Sequence, residues 1–200
     1  MSRLQPVRGT VDILPEIMAK HQFVIEAARN VASRYGFQEM ATPIFEFSEV
    51  FSRPLGQSSD IVTKENYSFT DRGGELLTLR PENTAGVVRA MISGGLTQSL
   101  PLKYLYAGPM FRYERPQKGR MRQFHQVGIE YLGPDSALAD AEIIACGTRF
   151  LDALGVLDNC VLRLNSLGDT ESRTAYRSSL VDYLHTVSHE LSVDSKKRLE

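Results

Sequence analysis

Residues 111–130 read FRYERPQKGRMRQFHQVGIE and carry the clearest structural and chemical pattern in the chain. Pro116 and Gly119 predict a loop between two extended runs, so the segment is expected to form a hairpin. Alternate side chains of a strand share one face. One face of the second run therefore carries Arg122, Phe124, Gln126, Gly128 and Glu130, and the other carries Gln123, His125, Val127 and Ile129.

The first of these faces presents a guanidinium, an aromatic ring, an amide, bare backbone and a carboxylate, in that order. Such a row would form a poor core, because burying an unpaired charge or amide costs several kcal/mol. It suits an extended ligand, since arginine binds phosphate, phenylalanine stacks on nucleobases, and glycine lets a ligand approach the backbone. The other interpretation is a hairpin whose charged face is simply hydrated, and the pattern alone leaves both open.

Charge is concentrated in the same segment. Between Arg112 and Arg122, five basic residues accompany a single acid, Glu114, although the whole chain has a formal net charge of −1. This distribution predicts an anionic ligand at one site and argues against a general nucleic-acid-binding surface.

The composition is that of an ordinary globular protein, with 42% hydrophobic and 24% charged residues. No apolar run approaches the ~20 residues that a membrane span needs, and the first six residues lack the apolar core of a secretory signal. Cys146 and Cys160 form no CxxC pair and are expected to be reduced core residues. These features predict a cytoplasmic protein without membrane association.

Outside this segment, the hydrophobic periodicity alternates between helical and strand-like runs. Helices are predicted over residues 15–35, 82–92, 135–154 and 170–191. Strands are predicted over residues 37–42, 66–70, 75–80, 102–112 and 122–131, with a short buried strand at 161–164. Strands joined by short turns favour a largely antiparallel sheet flanked by helices, which is an α+β fold. The chain has no GxGxxG or P-loop sequence, so a nucleotide would need another kind of phosphate site.

Residues 111–130 resemble motif 2 of class II aminoacyl-tRNA synthetases, in the form found in the histidine-specific enzymes. Other stretches fit the same family. Residues 8–15 look like its N-terminal signature, GFQEMATP at 36–43 resembles motif 1, LRPENTA at 79–85 resembles the histidine-binding TxRPExTA element, and LNSLG at 164–168 resembles the strand before its insertion. The resemblance extends from about residue 4 to residue 190. It implies a class II synthetase-like antiparallel β-sheet flanked by helices.

The resemblance implies an enzyme that activates L-histidine with ATP to histidyl-adenylate and pyrophosphate, then transfers histidine to the 3′ end of tRNA(His). Arg112 is the implied catalytic residue, because its guanidinium would stabilise the charge that develops as pyrophosphate leaves. Glu114 would accept from the adenine amino group and Phe124 would stack on the ring. The implied ATP-binding residues are Arg112, Glu114, Arg120, Arg122 and Phe124, and the implied histidine-binding residues are Glu82, Thr84, Gln126 and Glu130.

In that scheme Glu130 faces the imidazole, while the other three residues hold the histidine ammonium group. Mg²⁺ would bridge the phosphates, and no metal site made of protein ligands is expected. Some residues also have a structural interpretation. Glu82 follows Pro81 at a predicted helix start, where the helix dipole alone favours an acid. Asn83 is expected to have a backbone or packing role, and His125 to be packed rather than catalytic.

Residues 1–168 are expected to form the catalytic core with motifs 1 and 2, and residues 169–200 to begin an insertion region. The third class II motif and the anticodon-binding part are missing from the sequence, so it is expected to be a fragment that is inactive alone. The motif 1 resemblance implies a homodimer. The alternative function is a synthetase-like regulatory subunit of ATP phosphoribosyltransferase, which would bind histidine as an effector. The complete set of phosphate-binding residues favours the synthetase.

Overall fold

The computed structural model describes residues 4–55, 65–166, 168–197 and 199. Leu167 of the LNSLG stretch and the first three residues, on which the signal-sequence prediction partly rests, lie outside this part. The chain divides into two compact units, residues 1–159 and 160–200. The predicted domain boundary after residue 168 lies slightly later in the chain and stays a prediction.

The first unit begins with a long helix, α1 (Pro15–Arg34). Pro15 stands at the first helical position, where its missing N–H costs no hydrogen bond and its fixed φ suits the helix. The helix ends at Tyr35, whose N–H donates to the Ala32 carbonyl, and Gly36 follows with a φ of 79°. A left-handed residue at this position is a common helix terminator, so the predicted helix is confirmed at both ends.

The larger sheet contains β1 (Gln38–Glu39), β5 (Leu102–Phe111) and β6 (Gln123–Leu132). Strands β5 and β6 form the predicted antiparallel hairpin, and β1 pairs with β5 in parallel. Helices α1 and α4 (Ala137–Ala153) pack against one face of this sheet. The core on that side contains Ala28, Val31, Ala32, Phe37, Leu105 and Cys146.

The smaller sheet has the strand order β2 (Phe45–Phe47), β4 (Leu76–Leu79), β3 (Tyr67–Thr70) and is antiparallel throughout. The turn between β3 and β4 is closed by the Asp71 carboxylate, which accepts from the N–H groups of Gly73 and Glu75 at 2.8 and 2.9 Å. A short helix, α2 (Glu49–Leu55), precedes β3. The predicted β3–β4 hairpin is therefore confirmed.

Helix α3 (Thr84–Ser93) lies next to the opposite face of the larger sheet. Its Val87 clusters with Tyr106 and Met110 of β5, and all three are buried. The sheet is thus covered by helices on both faces, and the α+β fold predicted from the sequence is confirmed. No helix in the described ranges is long and apolar enough to cross a membrane.

The second unit is mainly helical, with α5 (Thr170–Thr186) and α6 (Val193–Lys197). Asp169 caps α5 by accepting from the Ser172 N–H at 2.7 Å. The predicted strand at residues 161–164 was wrong: this segment forms no strand, and Val161 is 82% exposed. A strand needs a neighbouring strand to form hydrogen bonds with its backbone N–H and C=O groups. An apolar run of sequence does not show whether such a neighbour is present. Cys160 is also exposed, contrary to the prediction, whereas Cys146 is buried.

Candidate functional site

The two faces of β6 have the predicted composition. Phe124 packs against the cluster of Val87 and Met110 on the α3 side. On the other face, Val127 and Ile129 pack against the core formed with α1 and α4. The exposed His125 ring meets His21 of α1 edge-on at a centroid distance of 4.8 Å, on the opposite face from Phe124, and its packing role stays a prediction. The row from Phe124 to Glu130 therefore lies on the side of the sheet that carries α3.

Glu82, Thr84 and Glu130 come together at the start of α3. The Thr84 hydroxyl donates to Oε1 of Glu130 at 2.7 Å. Oε2 of Glu82 accepts from the Thr84 N–H at 2.6 Å, and Oε1 accepts from the Ala85 N–H at 3.1 Å. Glu82 thus caps the helix, as the structural interpretation predicted, and also places a second carboxylate beside Glu130. Hydrogen bonds join the three residues into an acidic cluster, called the acidic pocket below, whose two carboxylates favour a cationic group.

Burial raises the pKa of Glu130, and the nearby Glu82 charge raises it further. Hydrogen bonds from Thr84 and Tyr106 oppose this shift because they stabilise the ionised carboxylate. The pKa of Tyr106 is raised by burial first and by the Glu130 charge second. The pocket therefore holds a carboxylate at an electrostatic cost, which a cationic or N–H-donating ligand would relieve.

Tyr106 was not predicted as a site residue, although it is buried and close enough to Glu130 to be influenced by its charge. It pairs across the hairpin with Gly128, and a Cβ at Gly128 would overlap its ring and hydroxyl. A signal for it exists in the sequence. Once β5 and β6 are aligned as a hairpin, the residue opposite Gly128 follows from the register, and Gly128 leaves space there for a large side chain.

Arg112 and Phe124 lie at the other end of the row. Nε of Arg112 donates to the Pro81 carbonyl at 2.9 Å, and its guanidinium carbon lies 5.2 Å from the centroid of the Phe124 ring. The stacking and the hydrogen bond hold the guanidinium in one orientation. The predicted catalytic arginine and the predicted ring-stacking residue are therefore neighbours.

Glu114, Arg120 and Arg122 surround the hairpin loop. Oε2 of Glu114 lies 3.0 Å from Nη1 of Arg120 but accepts no hydrogen bond from the residues that the structure describes. Nε of Arg122 donates to the Glu114 carbonyl at 3.2 Å, and its guanidinium carbon lies 4.1 Å from the centroid of the Tyr113 ring. The carboxylate of Glu114 is thus close to a cation, and its buried Oε2 has no hydrogen-bond donor among the described residues.

Gln126, the remaining predicted residue, pairs with Gly108 across the hairpin and is partly buried.

Arg80 lies next to Gly108, is 6% exposed and was not predicted to contribute to the site. A Cβ at Gly108 would lie 2.5 Å from Nη2 of Arg80. Burial lowers the pKa of Arg80, although the charges of Tyr106 and Glu46 act in the opposite direction.

Arg80 connects three segments through hydrogen bonds to oxygen atoms. Its Nε donates to the Pro109 carbonyl at 2.9 Å and its Nη1 to the Thr42 carbonyl at 3.0 Å. Nη1 also lies 3.4 Å from Oδ1 of Asn83, which accepts from the Thr42 hydroxyl at 2.6 Å. Asn83 therefore has the packing role that was predicted for it. The network fixes the residues just before α3 against the sheet.

The described residues contain no group of three or more His, Cys, Asp or Glu side chains that could hold a metal ion. The carboxylates of Glu82 and Glu130 are occupied by backbone and hydroxyl donors. These carboxylates therefore do not form a set of metal ligands that fits a Mg²⁺ ion held by the protein alone.

A cavity of about 930 Å³ is lined by residues of α2, α3 and the smaller sheet. It shares Glu82 and Thr84 with the pocket, but its remaining wall is mostly apolar and includes Phe47, Leu76, Val88 and Ile92. Arg112, Phe124 and Glu130 do not line it. The polar row on β6, with the start of α3, is therefore the better candidate for chemistry.

Comparison with known proteins points to one family. A family model described as Histidyl-tRNA synthetase matches residues 9–170. A histidine–tRNA ligase from Rhodospirillum rubrum is 62% identical over 200 residues, which cover the whole of this chain and 48% of that protein. One from Gluconacetobacter diazotrophicus is 61% identical with the same coverage. The chain thus spans about half the length of the relatives it matches.

Solved structures agree with the sequence relatives. The crystal structure of apo S. aureus histidyl-tRNA synthetase matches with a TM-score of 0.74 and 34% identity, covering 99% of this chain and 46% of that one. A Bacillus halodurans protein titled as an ATP phosphoribosyltransferase regulatory subunit/histidyl-tRNA synthetase matches with a TM-score of 0.67 and 26% identity, covering 78% of this chain and 39% of that one.

Proposed function

The chain belongs to the histidyl-tRNA synthetase family, and we propose that it is the histidine- and ATP-binding part of a histidine–tRNA ligase. The complete protein would activate L-histidine with ATP to histidyl-adenylate and pyrophosphate. It would then transfer the histidyl group to the 3′ end of tRNA(His). The observation that carries this proposal is the arrangement along one face of β6, with an acidic pocket at one end and an oriented arginine stacked on phenylalanine at the other.

The acidic pocket suits the amino acid. Glu82, Thr84 and Gln126 would hold the α-ammonium group, and Glu130 would accept from an imidazole N–H. A pocket that hydrogen-bonds its substrate rejects apolar analogues strongly, because they leave its buried polar groups unpaired. The raised pKa of Glu130 supports this role, since a ligand that donates to the carboxylate offsets the cost of its burial.

The arginine end suits the nucleotide. Arg112 would contact the α-phosphate and the activated carboxylate, and its fixed orientation would stabilise charge that develops as pyrophosphate leaves. Phe124 would stack on adenine, and Glu114 would accept from the adenine amino group. Arg120 and Arg122 would bind the phosphate tail or the acceptor end of the tRNA. The histidine carboxylate is already a nucleophile, so positioning and charge stabilisation suffice without a general base.

We further propose that the complete protein is a cytoplasmic homodimer that uses Mg²⁺ bound to the ATP phosphates. Apolar side chains on α1 support the dimer, because Ile17, Met18 and Phe23 are all exposed. Exposed apolar patches of this kind mark interaction surfaces. Residues 1–168 would form the catalytic core, and residues 169–200 would begin the insertion.

Histidine-dependent exchange of pyrophosphate into ATP tests the proposal in the complete gene product. We expect exchange that requires histidine, and a fall of roughly 10²–10³-fold in Arg112→Ala, as for the loss of one oriented charge-stabilising donor. Arg72→Ala is the matched control, since Arg72 is exposed in the β3–β4 turn. It should retain full exchange. Exchange that is unaffected by Arg112→Ala would contradict the role of this residue.

The regulatory subunit of ATP phosphoribosyltransferase remains the second candidate, and the likeness to the Bacillus halodurans structure favours keeping it. A regulatory subunit needs the acidic pocket that would bind histidine. It does not need Arg112 and Phe124, which would bind the nucleotide. Histidine binding without any pyrophosphate exchange in the complete gene product would therefore support the regulatory subunit over the ligase.

A further inference from the structure

We propose that Gly9 is a positioning residue for Arg122: its carbonyl oxygen and its bare Cα hold this arginine in place beside the β5–β6 loop, where it can bind a phosphate. This inference rests on the proposed function, in which Arg122 would bind the phosphate tail of ATP or the acceptor end of the tRNA. It gives a role to the N-terminal stretch at residues 8–15, which contributes no ligand contact to the proposed function.

The first observation is a backbone hydrogen bond that replaces one pairing of the hairpin. Strands β5 and β6 pair up to the position before Arg112 and Arg122. There the Arg112 N–H still donates to the Arg122 carbonyl at 2.9 Å, but the Arg112 carbonyl accepts from the Glu114 N–H at 2.8 Å. The Arg122 N–H donates instead to the Gly9 carbonyl at 2.7 Å. The N-terminal segment therefore supplies the acceptor at the point where the hairpin opens into its loop.

The second observation is the close packing of Gly9 on the stem of Arg122. A Cβ at Gly9 would lie 2.7 and 2.8 Å from Cγ and Cδ of Arg122, and 3.0 Å from Cγ of Pro116. The φ of Gly9 is 86°, in the left-handed region that favours glycine. Thr10 closes the turn around Gly9, because its N–H and its hydroxyl donate to the Val7 carbonyl at 2.9 and 2.7 Å. Arg122 therefore packs on a short turn with its own hydrogen bonds.

The third observation is the orientation of the Arg122 guanidinium. Its Nε donates to the Glu114 carbonyl at 3.2 Å, and its carbon lies 4.1 Å from the centroid of the Tyr113 ring. Its two Nη groups donate to no acceptor among the residues that the structure describes. A guanidinium binds phosphate through such paired N–H groups. Gly9 therefore fixes the stem of Arg122, while the loop orients a guanidinium whose Nη groups can still bind an anion.

The first test compares Michaelis constants of the complete gene product, from pyrophosphate exchange for ATP and histidine and from aminoacylation for tRNA(His). Gly9→Ala places a methyl group against Arg122 and should displace it. We expect the KM for ATP or for tRNA(His) to rise by about 10- to 100-fold, since a misplacement of about 1 Å can cost as much. The KM for histidine should keep its wild-type value. A rise for ATP would identify the phosphate tail as the ligand of Arg122, and a rise for tRNA(His) alone would identify the acceptor end.

Gly74→Ala is the matched control for backbone strain. Gly74 has nearly the same φ, 89°, in the β3–β4 turn, and no atom of the described residues lies within 4 Å of a Cβ built there. This variant introduces the strain without the overlap, so all three constants should match wild type. Wild-type constants in Gly9→Ala, or an equal rise of all three, would overturn the role of Gly9.

A double-mutant cycle tests whether Gly9 acts through Arg122. Arg122→Ala removes the Cγ and Cδ atoms that a Cβ at Gly9 would overlap. Gly9→Ala should therefore have little further effect in the Arg122→Ala background. Effects that simply add would overturn the proposal, because additivity is the behaviour of independent sites.

Amide hydrogen–deuterium exchange at Arg122 gives a readout that needs no enzymatic activity. The amide should be protected in wild type and in Gly74→Ala, and should exchange faster in Gly9→Ala because its acceptor is displaced. Equal protection in all three proteins would overturn the contact between Gly9 and Arg122. Wild type that shows this protection but catalyses no pyrophosphate exchange would instead overturn the proposed function.

Discussion

Glu130 is expected to help bind a ligand, but its buried charge lowers the stability of the folded protein. Burial and the Glu82 charge raise its pKa, so the folded state disfavours its ionised form. The free-energy contribution that favours folding is complete at low pH, where the carboxyl is neutral. It is lost as the pH rises through the raised pKa of the folded state. The ionised form of Glu130 therefore destabilises the fold, and we attribute the presence of this residue to ligand binding.

Substitution of Glu130 by Gln should separate these two effects. The amide can still accept from Thr84 but carries no charge, so the free energy of unfolding at pH 7 should rise by up to about 1 kcal/mol. Histidine binding should be lost. Urea unfolding at pH 7 and pH 4 checks the stability, and the gain should shrink at pH 4 because the wild-type carboxyl is then largely neutral. A destabilised Glu130→Gln at pH 7 would contradict this account.

At the scale of elements, Arg80 joins the segment after β1, strand β5 and the start of α3. Its guanidinium donates to the carbonyls of Thr42 and Pro109 and approaches the amide oxygen of Asn83. A guanidinium carries five donors on three nitrogens in a fixed plane and can reach acceptors on separate segments, whereas an ammonium carries three donors on a single nitrogen. The position of Glu82 and Thr84 relative to β6 therefore depends on a residue that contacts neither ligand in the proposed scheme.

Arg80→Lys should lower the free energy of unfolding by about 2–4 kcal/mol, because it leaves buried acceptors without donors. It should also weaken histidine binding, since α3 loses its fixed start. Arg72→Lys in the exposed β3–β4 turn is the matched control and should change stability by less than about 0.5 kcal/mol. Guanidinium chloride unfolding of the complete gene product measures both. Near-wild-type stability of Arg80→Lys would show that the network is not structural.

Helices and strands could be predicted from the sequence where a local repeat of apolar and polar residues, or a residue that starts or ends a helix, determines them. The alternation of β6 was sufficient to place Phe124 and Glu130 on one face, and the Pro15 and Gly36 signals located both ends of α1. Tyr106 and Arg80 were missed because their roles depend on strand register and on contacts between distant segments. The strand predicted at residues 161–164 failed for a related reason, since the composition of a run does not show whether a pairing partner exists.

At the scale of the whole molecule, each unit exposes apolar side chains that are rarely exposed on the surface of a globular protein. Leu138 in the first unit is 79% exposed, and Val161, Leu162 and Leu164 in the second are all exposed. Single exposed apolar residues are ordinary, but consecutive ones mark surfaces that other parts of a protein cover.

The last prediction concerns residues 1–200 expressed alone. The proposed ligand contacts lie on one face of the sheet, around the β5–β6 loop and at the start of α3, which together form a floor but leave a ligand open to water. Because solvent weakens every charge interaction there, and binding sites usually enclose most of a ligand, we expect no measurable histidine-dependent pyrophosphate exchange. The exposed apolar residues should also make this polypeptide self-associate, as measured by light scattering. The complete gene product, assayed alongside it, is the control. Turnover by a monodisperse 200-residue chain would show that the floor alone is a working site.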